Sequence, residues 1–72
     1  MIKIYSKLGC AYCVAATSLC AQKGVPFVEI KIGQDIDRDE FVKEHPDIRS
    51  APAIFDNDEF IGGFDELKER LA

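Results

Sequence analysis

The fold is decided by the stretch Ile2–Cys13, whose sequence is IKIYSKLGCAYC. Its first residues are rich in β-branched and aromatic side chains and alternate in polarity, which predicts a strand over 2–5. A loop over 6–9 follows. Neither Pro nor Gly interrupts residues 10–23, which predicts a helix, and Gly24 is placed to end it as a C-terminal cap. The two cysteines of this stretch therefore lie at the start of a helix that follows a strand and a short loop.

The rest of the chain extends this pattern to the order βαβαββα. It predicts a strand over 27–32, a charged helix over 37–44, strands over 53–55 and 59–61, and a last helix over 65–71. The β–α–β unit requires a parallel pair of strands with a right-handed crossover, and the final hairpin adds two antiparallel strands. We therefore expect an α/β fold with a four-stranded mixed sheet flanked by helices, in a single domain spanning residues 1–72.

Apolar positions on the three predicted helices indicate which faces contact the sheet. The inward residues are expected to be Ala16, Leu19 and Cys20 on the first helix, Phe41 and Val42 on the second, and Leu67 and Leu71 on the third. Cys20 is thus interpreted as a buried core residue without a catalytic role.

Composition and charge narrow the possible functions of the 72-residue chain. Hydrophobic residues make up 47% of it, which is enough for a packed core and argues against disorder. Nine basic and thirteen acidic residues give a formal charge of −4, so we expect no binding of nucleic acid. No apolar run is long enough to span a membrane, and no leader-like segment precedes Ile2. We therefore expect a cytoplasmic protein that does not associate with membranes.

The CxxC pair formed by Cys10 and Cys13 is the main candidate for chemistry. The free N–H groups and positive dipole potential at a helix start favour a thiolate, and Lys7 adds a positive charge nearby. Cys10 is therefore predicted to be the nucleophile. Cys13, one turn further into the helix, can attack a mixed disulfide on Cys10 and resolve it.

Half of a zinc site is the alternative interpretation of the same cysteine pair. Such a site needs about four ligands. Beyond the pair, the chain offers only Cys20, His45 and scattered carboxylates. A CxxC placed after the first strand of a β–α–β unit is typical of a redox centre, so we favour redox chemistry and expect no metal site.

Three motifs then resemble the glutaredoxin family, in family order and at family spacing. Lys7–Cys13 (KLGCAYC) resembles the Lys-x-x-Cys-Pro-Tyr-Cys signature of the dithiol members. Ser50–Phe55 (SAPAIF) is similar to their Thr-Val-Pro-x-x-Phe segment, and Ile61–Leu67 (IGGFDEL) to their Gly-Gly-x-Asp motif. The similarity covers essentially the whole chain and is strongest to the short members found in bacteriophages. It implies the thioredoxin fold.

The resemblance also implies a glutathione site, formed by Lys7, Tyr12, Ala51, Pro52, Gly63, Phe64 and Asp65. Pro52 matches the family's cis-proline, and Ala51 before it would offer its backbone to an extended substrate. The amides of Phe64 and Asp65 would hold the γ-glutamyl carboxylate, and Lys7 would meet the glycyl carboxylate. Tyr12 would line the groove beside the cysteinyl part.

The chain departs from the family pattern at two places. Ala11 replaces the usual Pro between the cysteines, which relaxes the turn and removes a residue associated with resistance to iron–sulfur cluster assembly. Ser50 and Ala51 replace Thr-Val, which trims apolar surface beside the groove.

The function implied is that of a glutathione-dependent thiol–disulfide oxidoreductase acting through Cys10 and Cys13. Its partners would be glutathione, as a co-substrate, and proteins with disulfides, of which ribonucleotide reductase is the family's best-known client. We expect a monomer without a permanently bound cofactor.

Two alternatives stay open at this point. A redoxin recharged by thioredoxin reductase would lack the Gly-Gly-x-Asp motif. A [2Fe–2S] carrier would hold its cluster between two subunits through Cys10 and glutathione. A copper or zinc chaperone with a CxxC loop has the order βαββαβ, which does not match.

Overall fold

The sheet is built around its first strand, Ile2–Ser6, which has a neighbouring strand on each side. The computed structural model describes residues 1–72, with the predicted order of elements. They are β1 (Ile2–Ser6), α1 (Ala11–Gln22), β2 (Phe27–Lys31), α2 (Arg38–Glu44), β3 (Ala53–Asp56), β4 (Glu59–Gly62) and α3 (Phe64–Arg70). No helix has both the length and the apolar character needed to cross a bilayer.

Strand pairing follows the order β2-β1-β3-β4. β1 and β2 are parallel, with Ser6 opposite Lys31, as the crossover through α1 requires. β1 and β3 are antiparallel, with Ile4 opposite Ile54, and β3 and β4 form the predicted hairpin. The mixed four-stranded sheet is thus confirmed. Its two edges are β2 and β4, and β2 is exposed or half-buried along its whole length.

Local backbone signals set the ends of two elements. Gly24 has φ +66°, and the N–H groups of Gly24 and Val25 donate to the carbonyls of Ala21 and Cys20. This is the Schellman arrangement that closes a helix, so the predicted cap at Gly24 is confirmed. The hairpin turns through Asn57 and Asp58, both at positive φ, as a two-residue type I′ turn requires.

Two apolar clusters pack on opposite faces of the sheet. One lies under α1 and α3 and contains Ile2, Ile4, Ala16, Cys20, Ile54 and Leu67. The other lies under α2 and contains Tyr5, Phe41, Ala53 and Phe55. Cys20 is fully buried, as predicted.

The prediction for the core face of α2 is half right. Phe41 is buried, but Val42 is 48% exposed. Consecutive residues of a helix point about 100° apart, and in α2 Phe41 is the residue directed at the sheet, so Val42 lies at the edge of the contact face. The last helix buries Leu67, while Leu71 packs at the border of the core.

Candidate active site

Cys10 is the N-cap of α1 and stands just outside the helix rather than being its first residue. Its backbone is extended, with φ −102° and ψ 108°. Its Sγ accepts a hydrogen bond from the backbone N–H of Cys13, at 3.3 Å. A sulfur therefore takes the place that a Ser or Asp oxygen usually occupies at a helix start. The Cys10 sulfur thus lies at the positive end of the helix dipole, with a backbone N–H directed at it.

Cys13 is more deeply buried than Cys10. It faces the interior and is 2% exposed, whereas Cys10 is half-buried. Burial raises the pKa of Cys13 to about 11, and its hydrogen bond with the Cys10 side chain acts in the same direction. At neutral pH Cys13 is therefore a thiol held directly beneath the more accessible sulfur.

The loop before β3 passes next to Cys10. The peptide bond between Ala51 and Pro52 is cis, as the resemblance implied. In the thiol form, Cys10 donates a long hydrogen bond to the carbonyl oxygen of Ala51, with 3.6 Å between sulfur and oxygen. Pro52 is buried, and Gly63 lies close to its carbonyl oxygen.

A groove of about 330 Å³ extends from this loop to the start of α3. We call it the cis-proline groove; it is lined by Tyr12, Ser50, Ala51, Pro52, Gly63, Phe64, Asp65 and Glu66. It brings together six of the seven residues predicted for glutathione. The rings of Tyr12 and Phe64 lie 6.0 Å apart between centroids, and Tyr12 is 65% exposed. The groove therefore has aromatic walls and backbone amides at one end.

Lys7, the seventh residue predicted for the glutathione site, does not line the cis-proline groove. It borders a larger cleft of about 820 Å³ on the other side of Cys10, between residues 6–14 and 29–34. We call this the β2 cleft. Cys10 lines it as well and contacts the loop of the cis-proline groove, so the sulfur lies between the two depressions.

Comparison with known proteins identifies the family. A sequence model described as Glutaredoxin matches residues 2–61. The chain belongs to the glutaredoxin family. A probable glutaredoxin of Synechocystis sp. is 40% identical over 67 residues, which make up 92% of this chain and 62% of that protein.

Two solved glutaredoxin structures resemble this one. Glutaredoxin 1 from Francisella tularensis, complexed with cacodylate, gives a TM-score of 0.81 at 37% identity, over 96% of this chain and 88% of that chain. A buckwheat glutaredoxin in complex with glutathione gives 0.79 at 27% identity, over 96% and 66%. The predicted thioredoxin fold is thus confirmed. Glutaredoxins are thiol–disulfide oxidoreductases, so the predicted class of enzyme is confirmed too.

One residue of the groove in this glutaredoxin was not predicted from the sequence. Glu66 lines the groove at the start of α3, whereas Ser50 lines it next to Ala51, where the motif comparison had placed it. The carboxylate of Glu66 accepts the N–H of Gly63, with 2.7 Å between oxygen and nitrogen. Gly63 and Glu66 have the spacing of a capping box, and this spacing is the sequence signal from which the position of Glu66 could have been predicted. Because Glu66 occupies the Gly63 amide, the next amides at this end of α3 are those of Phe64 and Asp65.

Proposed function

We propose that this glutaredoxin reduces protein disulfides and glutathione mixed disulfides, with Cys10 as nucleophile, Cys13 as resolving cysteine and glutathione as reductant. The observation that supports the roles most directly is the contrast between the two sulfurs. Cys10 is accessible and caps the helix, while the Cys13 thiol is 2% exposed and keeps its proton at neutral pH.

The reaction with a protein disulfide follows from this contrast. The Cys10 thiolate attacks one sulfur of the substrate, forms a mixed disulfide with it and releases the other sulfur as a thiolate, which takes up a proton. Cys13 then loses its proton and attacks Cys10 Sγ. A Cys10–Cys13 disulfide forms, and the second substrate thiolate leaves. Two electrons have passed to the substrate, and two glutathione thiols restore the dithiol by becoming glutathione disulfide.

The cis-proline groove supports glutathione as the reductant. The buckwheat relative is solved with glutathione bound. In this chain, the γ-glutamyl end would lie at the amides of Phe64 and Asp65, beside the rings of Tyr12 and Phe64. The cysteinyl part would pass Ala51, whose carbonyl oxygen is 3.6 Å from Cys10 Sγ. The glycyl carboxylate would then cross Cys10 to reach Lys7 at the near edge of the β2 cleft.

The test is an assay coupled to glutathione reductase, with a small glutathione mixed disulfide as substrate. Lys7→Glu and Asp65→Lys should each raise the apparent KM for glutathione at least tenfold. Lys7 would meet the glycyl carboxylate and the Asp65 carboxylate would meet the γ-glutamyl ammonium group, and charge-assisted contacts contribute roughly 1.5–3 kcal/mol each. The maximal rate should fall less than the affinity, since both residues act in docking.

Two exposed positions provide matched controls for these charge changes. Lys43→Glu on α2 and Glu69→Lys on α3 make the same reversals outside both depressions and should leave the KM near its original value. Faster reduction of the Cys10–Cys13 disulfide by thioredoxin reductase than by glutathione would contradict the proposal and support a redoxin.

A further inference from the structure

The β2 cleft is larger than the proposed glutathione groove and opens on the same nucleophile. It exists because α1 lies over β1 and leaves the end of the edge strand β2 uncovered. Its walls include Lys7, Leu8, Val14, Lys31, Ile32 and Gln34, and both active-site cysteines border it. Glutathione, as placed above, would use only its Lys7 edge. Most of the cleft therefore has no role in the glutathione reaction.

Exposed apolar side chains stand at the mouth of this cleft. Leu8 is 87% exposed and Val14 64% exposed, on either side of Cys10 along the chain. The whole stretch Leu8–Gln22 contains no charged residue, although the chain carries 22 charges in all, nine basic plus thirteen acidic. Uncharged apolar surface of this kind next to a nucleophile is suited to contact with a protein chain.

The cleft lining carries two lysines and one carboxylate, so its net charge is positive. Lys7 directly follows Ser6, and Ser6 pairs with Lys31 across the parallel strands, so the two lysines lie on neighbouring backbone segments. Neither lysine takes part in an ion pair. The carboxylate in the lining, Glu29, accepts a hydrogen bond of 2.9 Å from the hydroxyl of the buried Ser6. A protein with a net charge of −4 thus carries two ammonium groups outside any ion pair, against one carboxylate, in a cleft that its nucleophile borders.

We infer that the β2 cleft binds the polypeptide of protein disulfide substrates and prefers segments that carry acidic residues next to an apolar residue beside the reactive cysteine. A carboxylate placed between Lys7 and Lys31 would offset the repulsion of the two ammonium groups. The inference rests on the proposed function and adds the class of protein substrate. Lys7 can serve both ligands, because the protein disulfide reacts with the reduced enzyme before glutathione returns to regenerate it.

The experiment uses three synthetic peptides of equal length, each with one internal disulfide and the same apolar neighbour. The residues flanking the cysteines are Asp and Glu in the first, Asn and Gln in the second, and Lys in the third. For each protein variant, kcat/KM on each peptide is divided by kcat/KM on a small glutathione mixed disulfide, so that a general loss of activity cancels.

The unaltered protein should prefer the acidic peptide over the basic one by about tenfold at low ionic strength, and the preference should shrink in 1 M salt. Lys31→Glu should remove or reverse this preference by raising the relative rate on the basic peptide. A merely structural role of Lys31 would not produce such a gain. Lys43→Glu, the same change on α2, should keep the preference.

Two results would overturn the inference: equal relative rates on all three peptides, or equal effects of Lys31→Glu and Lys43→Glu. In either case the peptides are still reduced and the proposed function stands. If none of the peptides is reduced while glutathione and glutathione reductase are present, the proposed function itself fails. The two failures are therefore distinguishable in one set of measurements.

Discussion

Substitution of Gly62 by Ala tests how the last strand is joined to the groove. Gly62 ends β4 with φ +125°, a sparsely populated conformation that costs an L-residue on the order of 1–3 kcal/mol. An added Cβ would lie 2.6 Å from Cγ and Oε1 of Glu66. Glu66 would have to swing away and give up the Gly63 N–H, a loss of about 1 kcal/mol. The lower entropy of the unfolded Ala chain offsets about 0.4–1 kcal/mol of this.

The expected net loss in the free energy of unfolding is about 2 kcal/mol, measured by urea unfolding followed by far-ultraviolet circular dichroism. Gly33→Ala is the matched control, because Gly33 also has a positive φ (+94°) but no atom lies within 4 Å of an added Cβ. It should cost about 1 kcal/mol less than Gly62→Ala. In a Glu66→Ala background, that difference should disappear. Equal costs at Gly62 and Gly33 in the unaltered chain would refute the role given to Glu66.

The remaining predictions concern the three cysteines. Cys10→Ser should abolish activity, while Cys13→Ser should keep reduction of glutathione mixed disulfides and lose dithiol reduction of protein disulfides; alkylation at mildly acidic pH that labelled Cys13 first would reverse these roles. Because burial raises the pKa of Cys13 to about 11, the folded state keeps a proton that the unfolded thiol releases near pH 8.5. The retained proton contributes on the order of 3 kcal/mol to the free energy of unfolding; this contribution is complete below about pH 8.5 and is lost as the pH rises through about 11. Between these two pH values the free energy of unfolding should therefore fall more steeply in the unaltered protein than in Cys13→Ser. Cys20→Ala should cost about 1–2 kcal/mol of stability and leave turnover nearly normal; a Cys13–Cys20 disulfide in the oxidised protein would contradict this.

Much of the fold was predictable because its signals are local. The strand-loop-CxxC-helix order, the cap at Gly24 and the turn at Asn57 and Asp58 each depend on a few adjacent residues. Burial of Cys20 followed from helical spacing alone. Val42 was placed wrongly, since sequence spacing does not say how narrow the contact face of a seven-residue helix is.

The arrangement of the site was less predictable because it depends on the sheet. Motif matching assigned Lys7, Tyr12 and Asp65 to one ligand but did not indicate that Lys7 lines a different depression from the other two residues, with Cys10 between them. The pairing of Ser6 with Lys31 and the placement of β2 at an edge of the sheet depend on contacts between residues that are far apart in the sequence. Hence no motif signalled the β2 cleft.

Cys10 is both the N-cap of α1 and one half of the redox pair, so the stability of α1 is linked to the reduction potential of the two cysteines. Its sulfur caps α1 through the N–H of Cys13, and a thiolate accepts that bond better than a disulfide sulfur does. The cap therefore stabilises the reduced form, which makes the dithiol pair more oxidising. A cap contributes about 1 kcal/mol, which corresponds to roughly 20 mV for a two-electron couple. Substitutions in the first turn of α1 can thus tune the potential of this protein without touching either sulfur.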